Sequence, residues 1–155
     1  MCAICGVVRL RDGEPVEQGL LVQMRDSMVH RGPDSAGIFL NKHVGFGHRR
    51  LKIIDLHSGA QPMFNEDGTI AVVYNGEIYN FLELREHLMA KGHTFQTRCD
   101  TEVIVHAYEE YGIDCPKWFD GMFAFAVYDG NKNSVFLARD RVGIKPLYYY
   151  VDQHQ

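Results

Sequence analysis

Cys2 directly follows the initiator methionine, so loss of Met1 would place a nucleophilic sulfur and a free α-amino group on one residue. An α-amine titrates at roughly 7.7 to 8.0, close to where a general base must titrate to work at neutral pH. Nucleophile and base would then share a residue, and no catalytic histidine is required. A thiol that attacks an amide carbon needs donors for the oxyanion that forms. Asn75 and Gly76 offer a side-chain amide and a backbone N–H on adjacent residues, and removing one such donor typically costs roughly a hundred- to a thousand-fold in turnover. Asn followed by Gly is equally a hairpin turn signal. The next segment, EIYNFLELREHL, has a helical pattern rather than that of a pairing strand, which weakens the tight hairpin.

Arg50, within GHRRLKI, could clamp a carboxylate with its planar fork or stand as a surface cation. Asp100, at a helix start, could pair with an ammonium or act as an N-cap. Together with an amide-directed oxyanion hole they describe a site for an α-amino acid with a side-chain carboxamide, glutamine or asparagine. The eight histidines show no local pattern that selects a partner for the thiol.

The cysteines are Cys2, Cys5, Cys99 and Cys115. A CxxC can be redox-active or half of a zinc site. No second CxxC or closely spaced His pair completes four ligands, and on a strand an offset of three sends Cys2 and Cys5 to opposite faces. No metal site is expected, and Cys5 is expected to be buried and inert.

Positioning such a site takes an ordered fold, and the 155 residues, 46% hydrophobic and 23% charged, fit one globular domain. A net charge of −4 with interspersed signs offers no face for nucleic acid and no polybasic stretch for a membrane. No apolar run reaches transmembrane length and no basic leader precedes the first apolar residues, so a cytoplasmic protein is expected. The opening CAICGVVRL is apolar on both alternating faces, which predicts a doubly covered, central strand. Arg11 to Pro15 supply a turn, and Leu20, Leu21, Met24 and Met28 predict a helix from Glu17 to His30, stopped by Gly32 and Pro33.

Ile38 to Leu40 and Val44 to Gly47 predict a hairpin through Asn41 and Lys42, while most of HRRLKIIDLHSGAQPMF has no assignable pattern. Thr69 to Tyr74 is a strand expected to end sharply at Asn75 and Gly76. Asn80 and Glu83 have capping-box spacing for a helix closed by Gly92, and Asp100 or Thr101 is expected to cap a second helix closed by Gly112. Met122 to Tyr128 and Val135 to Arg139 predict a hairpin, and Ile144 to Tyr150 a last strand. Strands, helices, then strands again, with sheets covered on both faces, predict a layered α+β domain.

The motifs MCAICG, HRGPDSAG, GHRRLKIID, YNGEIYNF, CDTEV, GMFAFAVYD and ARDRVGIKPLYY occur in this order. The chain resembles in them the glutamine amidotransferase domain of glutamine-hydrolysing asparagine synthetases, of the class II, N-terminal nucleophile group. The resemblance covers nearly the whole sequence. It implies a four-layer sandwich of two antiparallel sheets between helices. It also implies Cys2 as nucleophile with its own amine as base, Asn75 and Gly76 as oxyanion hole, Arg50 on the substrate carboxylate, and Glu77 and Asp100 on the α-amino side. L-glutamine would give a γ-glutamyl thioester and ammonia, with no cofactor. ATP and Mg would serve only a synthetase domain or subunit, absent from these residues.

Ala3 stands where the family often has glycine, and the family's domain continues beyond the GIKPLYY motif, so a C-terminally shortened sandwich with an exposed edge, open to self-association as a homo-oligomer, is expected. The alternatives are a catalytically silent binding domain on the same fold and a CxxC metal or redox module.

Overall fold

The computed structural model describes residues 2–10, 14–53 and 58–152. Met1 and the expected turn residues Arg11, Asp12 and Gly13 lie outside the described residues. Two antiparallel sheets form the centre. The first has the order β1 (Ala3–Val8), β3 (Val44–Arg50), β2 (Ser35–Leu40). The second has the order β4 (Met63–Phe64), β5 (Ile70–Ile78), β6 (Gly121–Asp129), β7 (Ser134–Arg139). Helix α1 (Gln18–Asp26) packs on the first sheet, and α3 (Asp100–Tyr111), with α2 (Phe81–Ala90) against it, packs on the second. The layers are therefore helix, sheet, sheet, helix, the expected α+β sandwich.

Strand alternation explains the layering. On β5 and β6, Ile70, Val72, Tyr74, Ile78, Phe123, Phe125 and Val127 join the core against α2 and α3. Their neighbours Ala71, Val73, Ala126 and Tyr128 meet Val44 and Phe46 of β3 between the sheets. Bulky residues fill the helix side, while on β5 and β6 Ala71, Val73 and Ala126 leave room between the sheets for Phe46 and Tyr128.

Several local expectations are corrected. β1 pairs only with β3 and lies at a sheet edge; its two apolar faces report cover by α1 and the second sheet, which is independent of having a strand on each side. Helix α1 ends at Asp26 because the amides of Met28 and Val29 turn to carbonyls three residues back, at 3.1 and 3.2 Å. Asn80 does not cap α2 with its side chain, whose amide instead donates to the Trp118 carbonyl at 3.0 Å and whose oxygen accepts from Asp120 N–H at 3.0 Å. Gly92, with φ of 103°, does close α2: its N–H donates to Met89 and that of His93 to Leu88, at 3.0 and 3.1 Å. Residues 144–150 form no strand, and Tyr148, Tyr149 and Tyr150 are exposed. Among the described residues, no helix is long and apolar enough to cross a membrane.

Candidate active site

A cleft opens where β3 ends, β1 begins and β5 runs on beyond its short partner β4. Cys2, Arg50, Asn75, Gly76, Glu77 and Asp100 all line this one cavity of about 70 Å³. The six residues singled out in the sequence thus converge from four separate segments.

Cys2 is held by the chain that leaves β3. Its Sγ accepts the Leu51 N–H at 3.4 Å and lies 3.7 Å from the Leu51 carbonyl oxygen. Arg31 Nε donates to the Cys2 carbonyl at 3.4 Å. The HRGPDS segment fixes the same exit: Asp34 N–H donates to the Arg50 carbonyl at 3.0 Å, and the Asp34 carboxylate accepts Lys52 N–H at 2.7 Å. Gly32 is required there, since a Cβ would collide with the Arg49 backbone.

Asn75 and Gly76 are not at a strand end. They continue β5, opposite Ala124 and Phe123, and this interior position replaces the hairpin alternative. Asn75 shares its face with Ala71 and Val73, which look toward the first sheet, and so its side chain is on the Cys2 side. Gly76 contributes through its backbone. Tyr74 N–H donates to Gln61 Oε1 at 2.7 Å, and Ile78 N–H to Asp100 Oδ2 at 3.2 Å, both away from β6. Ladder alternation aims the Gly76 N–H the same way, into the cleft between them. Its missing Cβ matters too, because one would strike the Met122 carbonyl.

Arg50 is buried at the end of β3, and Gly59 leaves the room its guanidinium occupies, since a Cβ at Gly59 would collide with Nη2. Asp100 is the first residue of α3, yet Cys99 is the N-cap and no side-chain cap bond forms. The carboxylate turns into the fold, where Oδ2 accepts the Tyr74 hydroxyl at 2.8 Å as well as Ile78 N–H. Burial, then the Asp100 charge, pushes the Tyr74 phenol far up, so it stays a donor. The cavity therefore has a thiol, amide-type donors, a cation and carboxylates at its walls.

Sequence reasoning missed Gln61, Tyr74, Thr101 and Lys145, which line the same cavity. Gln61 joins β5 to α3, its amide donating to Thr101 Oγ1 at 3.3 Å. It lies in the stretch with no readable pattern, and only Gly37 hints at it, where a Cβ would collide with the Gln61 carbonyl. Tyr74 carried no signal beyond an apolar strand position.

The other thiols are differently placed. Cys5 faces α1, beside Gly47 and Arg25, and burial raises its pKa. Cys2 and Cys5 thus fall on opposite faces, as the strand offset requires. Burial also pushes the Cys99 thiol up to about 11 and that of Cys115 to about 12. No histidine among the described residues lines the cavity.

The model of the glutamine amidotransferase domain family matches residues 1–155. The chain belongs to that family. Asparagine synthetase [glutamine-hydrolyzing] 1 of Bacillus subtilis is 48% identical over 151 residues, covering 94% of this chain and 24% of the relative. A putative asparagine synthetase [glutamine-hydrolyzing] 2 of Methanocaldococcus jannaschii is 42% identical over 174 residues, covering 100% of this chain and 33% of the relative. The amidotransferase domain thus spans a third or less of these relatives' length. Among solved structures, the allosteric regulatory enzyme of purine biosynthesis superposes with a TM-score of 0.75 at 20% identity, over 94% of this chain and 38% of that one. The glutamine phosphoribosylpyrophosphate amidotransferase of B. subtilis gives 0.69 at 20% identity, over 88% and 37%. These two likenesses establish the amidotransferase sandwich as a fold.

Proposed function

We propose that this amidotransferase domain is the glutaminase half of an asparagine synthetase, cleaving L-glutamine to glutamate and ammonia. The observation that carries the proposal is the convergence of Cys2, Asn75, Gly76, Arg50, Glu77 and Asp100 on one cavity. After loss of Met1, the Cys2 amine accepts the thiol proton while Sγ adds to the side-chain carboxamide carbon of glutamine. The oxyanion is held by the Asn75 amide and the Gly76 N–H. The C–N bond then breaks, the amine returns the proton to the leaving nitrogen, and ammonia departs from a γ-glutamyl thioester. Water, deprotonated by the same amine, attacks the thioester and releases glutamate and free Cys2.

Arg50 would hold the substrate α-carboxylate through paired N–H donors. Glu77 and Asp100 would face the α-ammonium, with Asp100 oriented by Tyr74 and Ile78. This half-reaction calls for no metal or organic cofactor. ATP and Mg²⁺ would belong to a synthetase portion or subunit that consumes the ammonia, in keeping with the names of the relatives and the fraction of their length covered here. A cytoplasmic setting fits such biosynthetic chemistry.

The test is ammonia release from L-glutamine by the purified chain and its Cys2→Ala variant. Release by the parent that is lost in the variant is expected. Equal release from both would remove Cys2 from the reaction.

A further inference from the structure

Helix α3 is buried from Asp100 through Tyr108, and this buried run includes Glu102 and His106. Buried ionisable groups must be satisfied by partners, and those of His106 form an ordered constellation that shares no residue with the lining of the glutamine cleft. His106 Nδ1 lies 2.8 Å from Glu109 Oε2, and His93 Nδ1 lies 3.5 Å from that same oxygen. The two imidazoles are 5.1 Å apart between ring centroids. One donor atom each of His93, His106 and Glu109 falls within 4.8 Å of the others.

The surroundings of this triad are equally specific. His106 Nε2 faces Glu102 Oε1 at 3.8 Å, and His93 Nε2 faces Glu110 Oε2 at 3.4 Å. Each imidazole therefore has one nitrogen toward Glu109 and the other toward a carboxylate. Glu102 is anchored in turn by Gln96 N–H and Thr97 N–H, both at 2.7 Å, and by the Thr97 hydroxyl at 2.5 Å. Asn65 Nδ2 donates to the second oxygen of Glu109 at 2.9 Å, leaving Oε2 as the one that meets both rings. Lys91 offsets only Glu110, through an ion pair of 2.6 Å.

Two imidazoles and one carboxylate, with the outer ring nitrogens on carboxylates, is the donor set and outer shell that zinc sites use. Tetrahedral ligands at roughly 2.0 to 2.1 Å from zinc stand roughly 3.4 Å apart. The Nδ1 to Oε2 separations of 2.8 and 3.5 Å bracket that spacing. His106 also lines a second cleft of about 340 Å³, together with Asn65, Glu66, Thr94, Gln96 and Glu102.

We propose that His93, His106 and Glu109 form a divalent transition-metal site suited to Zn²⁺, joining the exit of α2 to α3. The site is separate from the glutamine cleft and takes no part in amide hydrolysis. Its effect is structural: it ties the chain beyond α2 to the helix whose first residue, Asp100, lines that cleft.

The experiment titrates Zn²⁺ into the metal-stripped chain carrying Cys2→Ala, so that the terminal thiol does not compete, and follows binding by calorimetry. One equivalent is expected, with affinity at least about tenfold weaker in each of His93→Gln and Glu109→Gln. Both positions are partly exposed, and circular dichroism verifies that the variants remain folded. Zn²⁺ should raise the unfolding temperature of the parent more than that of either variant, and X-ray absorption at the zinc edge should show nitrogen and oxygen ligands without sulfur. No binding by the parent, equal affinity in all three proteins, or sulfur in the coordination shell would each overturn the site.

Discussion

Tyr74 donates its hydroxyl hydrogen to Asp100 Oδ2 at 2.8 Å, so a carboxylate at the start of α3 is aimed by a strand of the second sheet and not by its own helix. The Asp100 charge is thereby committed to the cleft wall. Removing the hydroxyl should loosen that aim without touching the reacting atoms. Tyr74→Phe is expected to raise the KM for glutamine roughly tenfold, the scale of one hydrogen bond to a charged group, while kcat changes little. Steady-state kinetics measures both, and an unchanged KM would show that Asp100 needs no such orientation.

Asn75→Ala removes one of the two proposed oxyanion donors and leaves Gly76 in place. Turnover should fall by roughly a hundred- to a thousand-fold. Because the donor acts on charge that develops after binding, KM should move far less. A loss confined to KM would make Asn75 a binding residue instead.

Arg50 and Gly59 form a coupled pair, since a Cβ at Gly59 would occupy the place of the guanidinium. Arg50→Lys should raise KM, because a single ammonium cannot reproduce the two parallel donors of the fork. Gly59→Ala should mimic it in part by displacing the same group. Kinetics on both variants tests the link; if Gly59→Ala is silent while Arg50→Lys is impaired, the guanidinium has another pose.

His48 is buried on β3 with a backbone hydrogen bond to Tyr74, and burial lowers its pKa from 6.5 to about 4. In the native state the ring is neutral over the range where the unfolded chain takes up a proton. Its contribution to stability is therefore complete above pH 6.5 and is lost as pH falls toward 4, by about 3 kcal/mol across the window. Urea unfolding at stepwise pH should show His48→Gln less sensitive to acid between pH 6.5 and 5 than the parent. Parallel pH curves for the two proteins would mean the ring is charged when folded.

Alternation and helix punctuation made the layers legible, because β5 and β6 display different residue sizes on their two faces and Gly92 closes α2 as its type demands. Five of the six site residues were legible as types and Glu77 only through the family resemblance, and their convergence rests on long-range pairing between segments that local pattern does not encode. Asn75 and Gly76 show the limit clearly: the dipeptide signals a turn, yet β6 pairs with it residue for residue and keeps it in a strand. The final strand expected over Ile144 to Tyr150 failed for the complementary reason, since a β-rich composition forms no strand without a partner edge. Gln61 and the His93, His106 and Glu109 group were invisible because each depends on contacts between a loop and a helix.

The most direct measurement is the mass of the N-terminal peptide of the purified chain, before and after exposure to a glutamine analogue bearing an electrophilic carbon at the amide position. The expected result is loss of Met1 and a single adduct on Cys2 that excess L-glutamine prevents. Failure of the Met1-free chain to form that adduct, or an adduct that glutamine does not protect against, would contradict a glutamine site built around Cys2.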